Sequence, residues 1–116
     1  MPNITRFHPA SRYSEASVHN GTVYLAGQVA DDASQDIAGQ TSQVLAAVDR
    51  LLAQAGSDKS RILMTQIFLV DLADYDAMNA VWDAWVSPQS PPCRATVQAR
   101  LARPAWRIEI VVTAAV

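Results

Sequence analysis

Residues 91–116 read PPCRATVQARLARPAWRIEIVVTAAV. Ala95, Val97, Ala99 and Leu101 alternate with Arg94, Thr96, Gln98 and Arg100, which is the period of two of a half-buried strand. Farther on, Ile108, Ile110, Val112 and Ala114 share one face, and Arg107, Glu109, Val111 and Thr113 share the other. Pro104, within Ala102–Ala105, lacks a backbone N–H and breaks the ladder, so the segment between the two runs reads as a turn. The expectation is a β-hairpin with an apolar face and a mixed face that bears both Arg94 and Glu109. If Leu101 pairs with Trp106, Gln98 stands opposite Glu109 and Arg94 lies farther along its strand, about 13 Å away at about 3.4 Å per residue. A small ligand touches both only if a bulge, the long Arg side chain or a second subunit closes that gap. The expected site is therefore one at a subunit interface.

Working back from this segment, Gln89-Ser90-Pro91-Pro92 is a stiff connector. Tyr75, Met78, Val81, Trp82 and Trp85 form the apolar stripe of a helix capped by Asp71 or Asp74 and ended at Ser87-Pro88. The segment Arg61 to Val70 is almost continuously apolar, as expected of a strand buried on both faces. Ile37, Thr41, Val44, Leu45, Val48, Leu51, Leu52 and Ala55 fall at helical spacing. Gly56 stands just past the end of that helix, and the polar loop Asp31–Asp36 offers N-caps, Ser34 among them. Glu15–His19 and Thr22–Gln28 read as a hairpin around Asn20-Gly21, since both turn residues tolerate positive φ. Gly27 inside the second arm suggests a bulge or a close approach by another group. Ile4–His8 is a short strand ended by Pro9.

The order βββαβαββ predicts an α+β fold, a two-layer sandwich of a mixed sheet of about six strands with two helices on one face. Strands joined through a helix are expected to run parallel. Residues 1–116 form one domain, with no linker or low-complexity segment. One sheet face is left without a cover, and Val29, Ile67, Leu69, Val111 and Ala115 are expected to be partly exposed on it. A closed symmetric oligomer would hide them.

Composition narrows the function. The chain has 116 residues, 50% of them hydrophobic and 17% charged, with a formal net charge of −2. That balance gives no basic footprint for nucleic acid. No apolar run approaches the ~20 residues of a membrane-spanning helix, and the first residues lack the build of a signal peptide. A soluble cytoplasmic protein is the expectation. Cys93 is the one cysteine, so an intrachain disulfide and a multi-cysteine metal site are both ruled out. His8 and His19 are isolated, so no metal site is expected. Lys59 is the sole lysine and sits in a polar turn, which leaves little room for Schiff-base chemistry. Trp82 and Trp85 belong to a helical stripe and read as core or interface residues. Cys93 beside Arg94 lacks a positioned base. An Arg and a Glu on one sheet face are, by themselves, as consistent with a structural ion pair as with a site.

The segments Ala26-Gly27-Gln28, Ile67-Phe68-Leu69-Val70-Asp71-Leu72, Asn79, Pro92-Cys93-Arg94 and Ile108-Glu109-Ile110 together resemble the Rid family of reactive-intermediate deaminases, also called the YjgF or translation-initiation-inhibitor family. The likeness runs over essentially the whole chain, and the spacing from Arg94 to Glu109 looks like the family's own. It implies a chorismate-mutase-like fold, a homotrimer with clefts between subunits, and hydrolysis of 2-imino or enamine acids to 2-oxo acids and ammonia without a cofactor. Carried over residue by residue, Arg94 corresponds to the carboxylate-binding arginine and Glu109 to the water-positioning glutamate. Tyr13 and Asn79 look like the cleft tyrosine and asparagine, and Gly27 and Thr96 fall at substrate-contacting positions. The chain departs from the deaminase pattern at Ala26, where a small hydroxyl residue is usual, at Thr96, where a cysteine is usual, and at Ser11-Arg12-Tyr13-Ser14 in place of Gly-Pro-Tyr. Arg12 would add positive charge near the cleft. A trimeric carboxylate-binding or regulatory protein without turnover is the alternative reading.

Overall fold

The computed structural model of the chain describes residues 3–116. Strands β1 (Thr5–Phe7), β2 (Ala16–His19) and β3 (Thr22–Leu25) precede helix α1 (Ile37–Gln54). Strand β4 (Ile62–Leu69), helix α2 (Tyr75–Trp85) and strands β5 (Cys93–Gln98) and β6 (Ile108–Ala115) follow, with short 3-10 turns at Lys59–Arg61 and Leu72–Asp74. All six strands form one sheet in the order β1-β2-β3-β6-β4-β5. The α+β sandwich with its mixed sheet and two helices is the expected fold.

Local chemistry accounts for the boundaries. Asn20 (φ 50°) and Gly21 (φ 76°) take the left-handed conformations of the β2–β3 turn, whose twist matches that of paired strands. Asp36, rather than Ser34, caps α1, its carboxylate accepting from Gly39 N at 2.9 Å. Gly56 (φ 81°) follows the helix, as its position predicts. Asp71 accepts from Ala73 N and so caps the 3-10 turn before α2, whereas Asp74 makes no capping bond to α2. Two further aspartates hold loops: the hydroxyl and backbone N–H of Ser34 keep the Asp32 carboxyl below its ordinary pKa, and those of Ser60 do the same for Asp58.

The terminal hairpin does not form. Strand β5 pairs in parallel with β4, Gln98 standing beside Leu69, and β6 inserts antiparallel between β3 and β4, with Glu109 beside Phe68. Alternation specifies the face each side chain takes but not the neighbouring strand. The loop after β5 is long enough to carry the chain across the end of β4 to the centre of the sheet. The two expected helix crossovers give strands of the expected direction: β4 and β5 pair directly, while β3 and β4 are both antiparallel to β6 and are separated by it.

The register sorts the side chains by face. Under the helices run the rows Val23–Ala114–Ile62, Val112–Thr65–Arg94 and Ile110–Ile67–Thr96. With Val44, Val48, Leu51, Leu52 and Met78 from the helices, these rows build the core. A register shift between Ile62 and Met64 returns Ile62 to the core row. On the other face lie Tyr24–Thr113–Met64, Val111–Gln66–Ala95 and Glu109–Phe68–Val97. Ile67 and Leu69 are fully buried, contrary to expectation, because they face the helices. β4 is covered on that face alone: Gln66 is exposed, and Met64 and Phe68 are only half-buried. Val29, Val111 and Ala115 are half-buried.

Candidate functional site

Arg94 stands on the edge strand β5, on the helix-covered side of the sheet. Its Nη1 donates to Asn79 Oδ1 at 2.8 Å and its Nη2 to Tyr75 Oη at 3.2 Å. The guanidinium carbon lies 5.3 Å from the Trp82 ring centre and 5.9 Å from that of Tyr75. Residues 75, 79 and 82 recur at helical spacing, so a single stripe of α2 clasps the arginine from above. A planar cation between two rings keeps its remaining N–H groups in a fixed fork, which suits a carboxylate. The sequence marks Asn79 as a ligand contact, and its carbonyl here is already engaged in orienting Arg94. Tyr75 and Trp82 read in the sequence as plain apolar stripe. The available signal was the combination of aromatic and amide side chains on one face of α2, opposite a strand arginine.

Thr96 lies two residues farther along β5 on the same face, and Thr65 is Arg94's register partner on β4. Both hydroxyls are buried without a hydrogen-bond partner among the described residues. Buried hydroxyls ordinarily find a partner, so the Arg94 end of the sheet holds unused hydrogen-bonding capacity.

Glu109 is elsewhere. It sits near the start of β6 on the uncovered face, opposite Phe68. The mixed face shared with Arg94 is thus corrected: the two residues occupy opposite faces, separated by β4. Gly27 does mark a close approach, and the approaching group is Glu109. A Cβ on Gly27 would overlap Glu109 Oε2 and stand 2.8 Å from its Cδ. The Gln28–Ile110 bridge holds the two strands together there, with backbone bonds of 2.8 and 3.0 Å. Among the described residues Glu109 makes no ion pair and no side-chain hydrogen bond; the one ion pair is Arg107–Asp74, at 2.8 Å. Tyr13, 63% exposed, lies in the β1–β2 loop at the opposite edge of the sheet from β5. Arg12 is in the same loop and exposed. A single chain therefore brings Arg94, Asn79 and Thr96 together, and Glu109 with Gly27, while the loop that carries Tyr13 returns to the sheet beside Gly27, where Ala26 N donates to Glu15 O at 2.8 Å.

A further residue positions Glu109. Gln40 of α1 is fully buried. Its Oε1 accepts from Arg107 N at 2.9 Å, and its Nε2 lies 3.1 Å from the carbonyls of Ala105, Ala33 and Gln35. One amide thereby pins the segment that leads into β6 and Glu109. The sequence carried a signal for it, a glutamine at the stripe position between Ile37 and Val44.

The other expectations resolve locally. His8 bonds Gln54 Oε1 at 2.8 Å, and no group of three or more potential metal ligands occurs among the described residues. Lys59 is partly covered rather than fully solvated, with its ammonium 5.3 Å from the Trp85 ring centre. Trp82 is buried in the core, and Cys93 is exposed. No helix among the described residues is long and apolar enough to cross a membrane.

The sequence model of the endoribonuclease L-PSP family matches residues 3–116. A RutC family protein of Haemophilus ducreyi is 50% identical over 97% of each chain. The chain belongs to this family. A crystal structure of a YjgF family member from Neisseria meningitidis superposes with a TM-score of 0.95 at 50% identity, covering 97% of this chain and 94% of that one. The 3-aminoacrylate deaminase RutC of Acinetobacter baylyi is similar at 33% identity, over 88% of this chain and 85% of its own. Arg94, Glu109 and Gly27 all lie within the segment the family model matches.

Proposed function

We propose that this RutC/YjgF family member hydrolyses reactive 2-imino or enamine acids, of the 2-iminobutanoate or 2-iminopropanoate kind, to 2-oxo acids and ammonia. The observation that carries the reading is the state of Glu109, a half-buried carboxylate against a glycine backbone with no cation to neutralise it among the described residues. Such a group is free to hold a water and take its proton. The named deaminase among the relatives supports the same chemistry.

Arg94, held by Asn79 and Tyr75, pairs with the substrate carboxylate and fixes its orientation. The orphaned Thr96 hydroxyl donates to the same end of the ligand. Glu109 accepts a proton from water as its oxygen adds to the imine carbon, and the proton passes to nitrogen. The resulting carbinolamine expels ammonia and leaves the 2-oxo acid. Since Arg94 and Glu109 face opposite ways, one active centre takes them from two subunits. In a head-to-tail ring the β5 edge of one copy meets the Gly27 and Tyr13 side of the next, a contact that closes at a small number of copies. Three is the number the family resemblance implies. The net charge of −2 speaks against a nucleic-acid substrate, despite the family's endoribonuclease description.

The separation of Arg94 from Glu109 favours one second reading, a carboxylate binder without turnover. The two readings part in an assay that generates imino acids with an amino-acid oxidase and traps them with semicarbazide. A deaminase lowers the trapped imine at protein concentrations far below substrate, and a binder does so at most stoichiometrically. Glu109→Gln should lower the rate by about 10²-fold or more while 2-oxo acid binding, read by calorimetry, persists. Stoichiometric protection by the parent protein would establish the binder, and a parental rate in the variant would remove Glu109 from the chemistry.

A further inference from the structure

A cavity lies at the far end of β4, where the loop from β5 crosses to β6. It has a volume of about 370 Å³ and is lined by Val70, Arg100, Leu101, Ala102, Arg103 and Pro104. Three arginines fall in this stretch, and they are not equivalent. Arg107 is neutralised by Asp74, with contacts of 2.8 and 3.2 Å. Arg100 and Arg103 have no carboxylate partner and donate no side-chain hydrogen bond among the described residues. The Arg103 guanidinium carbon lies 5.6 Å from the Trp106 ring centre. That contact steadies the head group and leaves its edge N–H groups free. The rest of the wall is aliphatic.

The cavity is built on a fixed frame. Gln40 ties the carbonyl of Ala105 and the N–H of Arg107 to α1. Ala99 N donates to Leu69 O at 3.0 Å, and Gln98 Nε2 donates to Val70 O at 3.0 Å. One end of the loop is thus tied to α1 and the other to the end of β4, and a ligand would meet a preformed wall instead of ordering one. The volume falls in the range of small-molecule pockets.

We infer that this cavity binds a small organic carboxylate with an aliphatic body, held at its anionic end by Arg100 and Arg103 and along its body by Val70, Leu101 and Pro104. Arg100 and Arg103 are both exposed, with no carboxylate partner among the described residues, so the pair favours an anion, and the aliphatic wall favours one that carries apolar surface. Inorganic phosphate meets the first requirement and fails the second. The site is separate from Arg94, which lies at the other end of β5 beneath α2, and it stands whether or not the protein turns over imines.

Isovalerate, isovaleramide and inorganic phosphate, titrated calorimetrically into the full chain at constant ionic strength, test the inference. In an Arg94→Ala background isovalerate should still bind saturably, and isovaleramide, its neutral isostere, should not. Arg100→Gln and Arg103→Gln should each weaken isovalerate at least tenfold, with unchanged circular dichroism and thermal midpoint showing that the loop remains folded. Phosphate should bind at least tenfold more weakly than isovalerate. Loss of all saturable isovalerate binding in Arg94→Ala would overturn the separate site. Parental affinity in the Arg100→Gln/Arg103→Gln double variant would overturn the role of the two arginines. Phosphate binding as tightly as isovalerate would reduce the cavity to a generic cationic patch.

Discussion

At the scale of single residues, the pairing of Gly27 with Glu109 is the tightest constraint on the proposed chemistry. The glycine is required by space, since its φ is not among the positive values found at Gly21 and Gly56. Any side chain there would collide with the nearer carboxylate oxygen. The colliding atoms are the tip of a flexible side chain, so Glu109 can swing aside at little cost to the fold. Gly27→Ala should therefore keep its thermal midpoint within about 4 °C of the parent and yet lose about 10²-fold in imine hydrolysis, the worth of a misplaced general base. Differential scanning fluorimetry and the semicarbazide assay measure the two effects. A variant that melts early and hydrolyses normally would reverse the assignment and make the contact a packing feature.

Among the elements, helix α2 has two functions at once. Met78 and Trp82 fill the core, while Tyr75, Asn79 and Trp82 hold Arg94. Asn79→Ala should leave the helix intact and release the guanidinium from its fixed pose. The expected result is a rise in KM of about tenfold, equivalent to about 1.4 kcal/mol, with kcat changed much less; steady-state kinetics on the trapped imine would detect it. A fall in kcat at constant KM would instead place Asn79 at the reacting atoms. The local signals for such elements were all in the sequence: the Asn20-Gly21 turn, the Gly56 stop, the stripes of both helices and the close approach at Gly27. Strand partnership was not, because a period of two is equally satisfied by β5 beside β6 and by β5 beside β4. Strand partnership decides the geometry of the site. Pairing β5 with β6 put Arg94 and Glu109 on one face, whereas inserting β4 between them leaves the two residues facing opposite ways. The role of Gln40 is hidden in the sequence for a related reason, since it depends on a loop far away along the chain.

For the whole molecule, the uncovered sheet face is the dominant feature. It presents Tyr24, 52% exposed, and Val97, 47% exposed, with Met64, Phe68 and Val111 half-buried among them. Apolar surface of this kind marks an interface, and a symmetric contact with another copy would cover it. Val111→Glu places a charge at the middle of that face without touching the helix-covered core. Light scattering coupled to size exclusion should report a trimer for the parent and a folded monomer for the variant, and activity should vanish with the assembly. A parent that elutes as a stable monomer would sink both the trimer and the two-subunit active centre. The central position of β6 also has a consequence in time. Val23 pairs with Ala114 and Ile67 with Ile110, so β3 and β4 cannot be joined until the last strand has entered the gap between them. Until then a β1–β2–β3 meander and a β4–α2–β5 unit would each show a naked inner edge. Such pairing closes large loops and is slow, on the order of milliseconds to seconds. In that interval the β6 segment of one chain can fill the gap in another, so refolding at high concentration should be the step at which this protein entangles with itself.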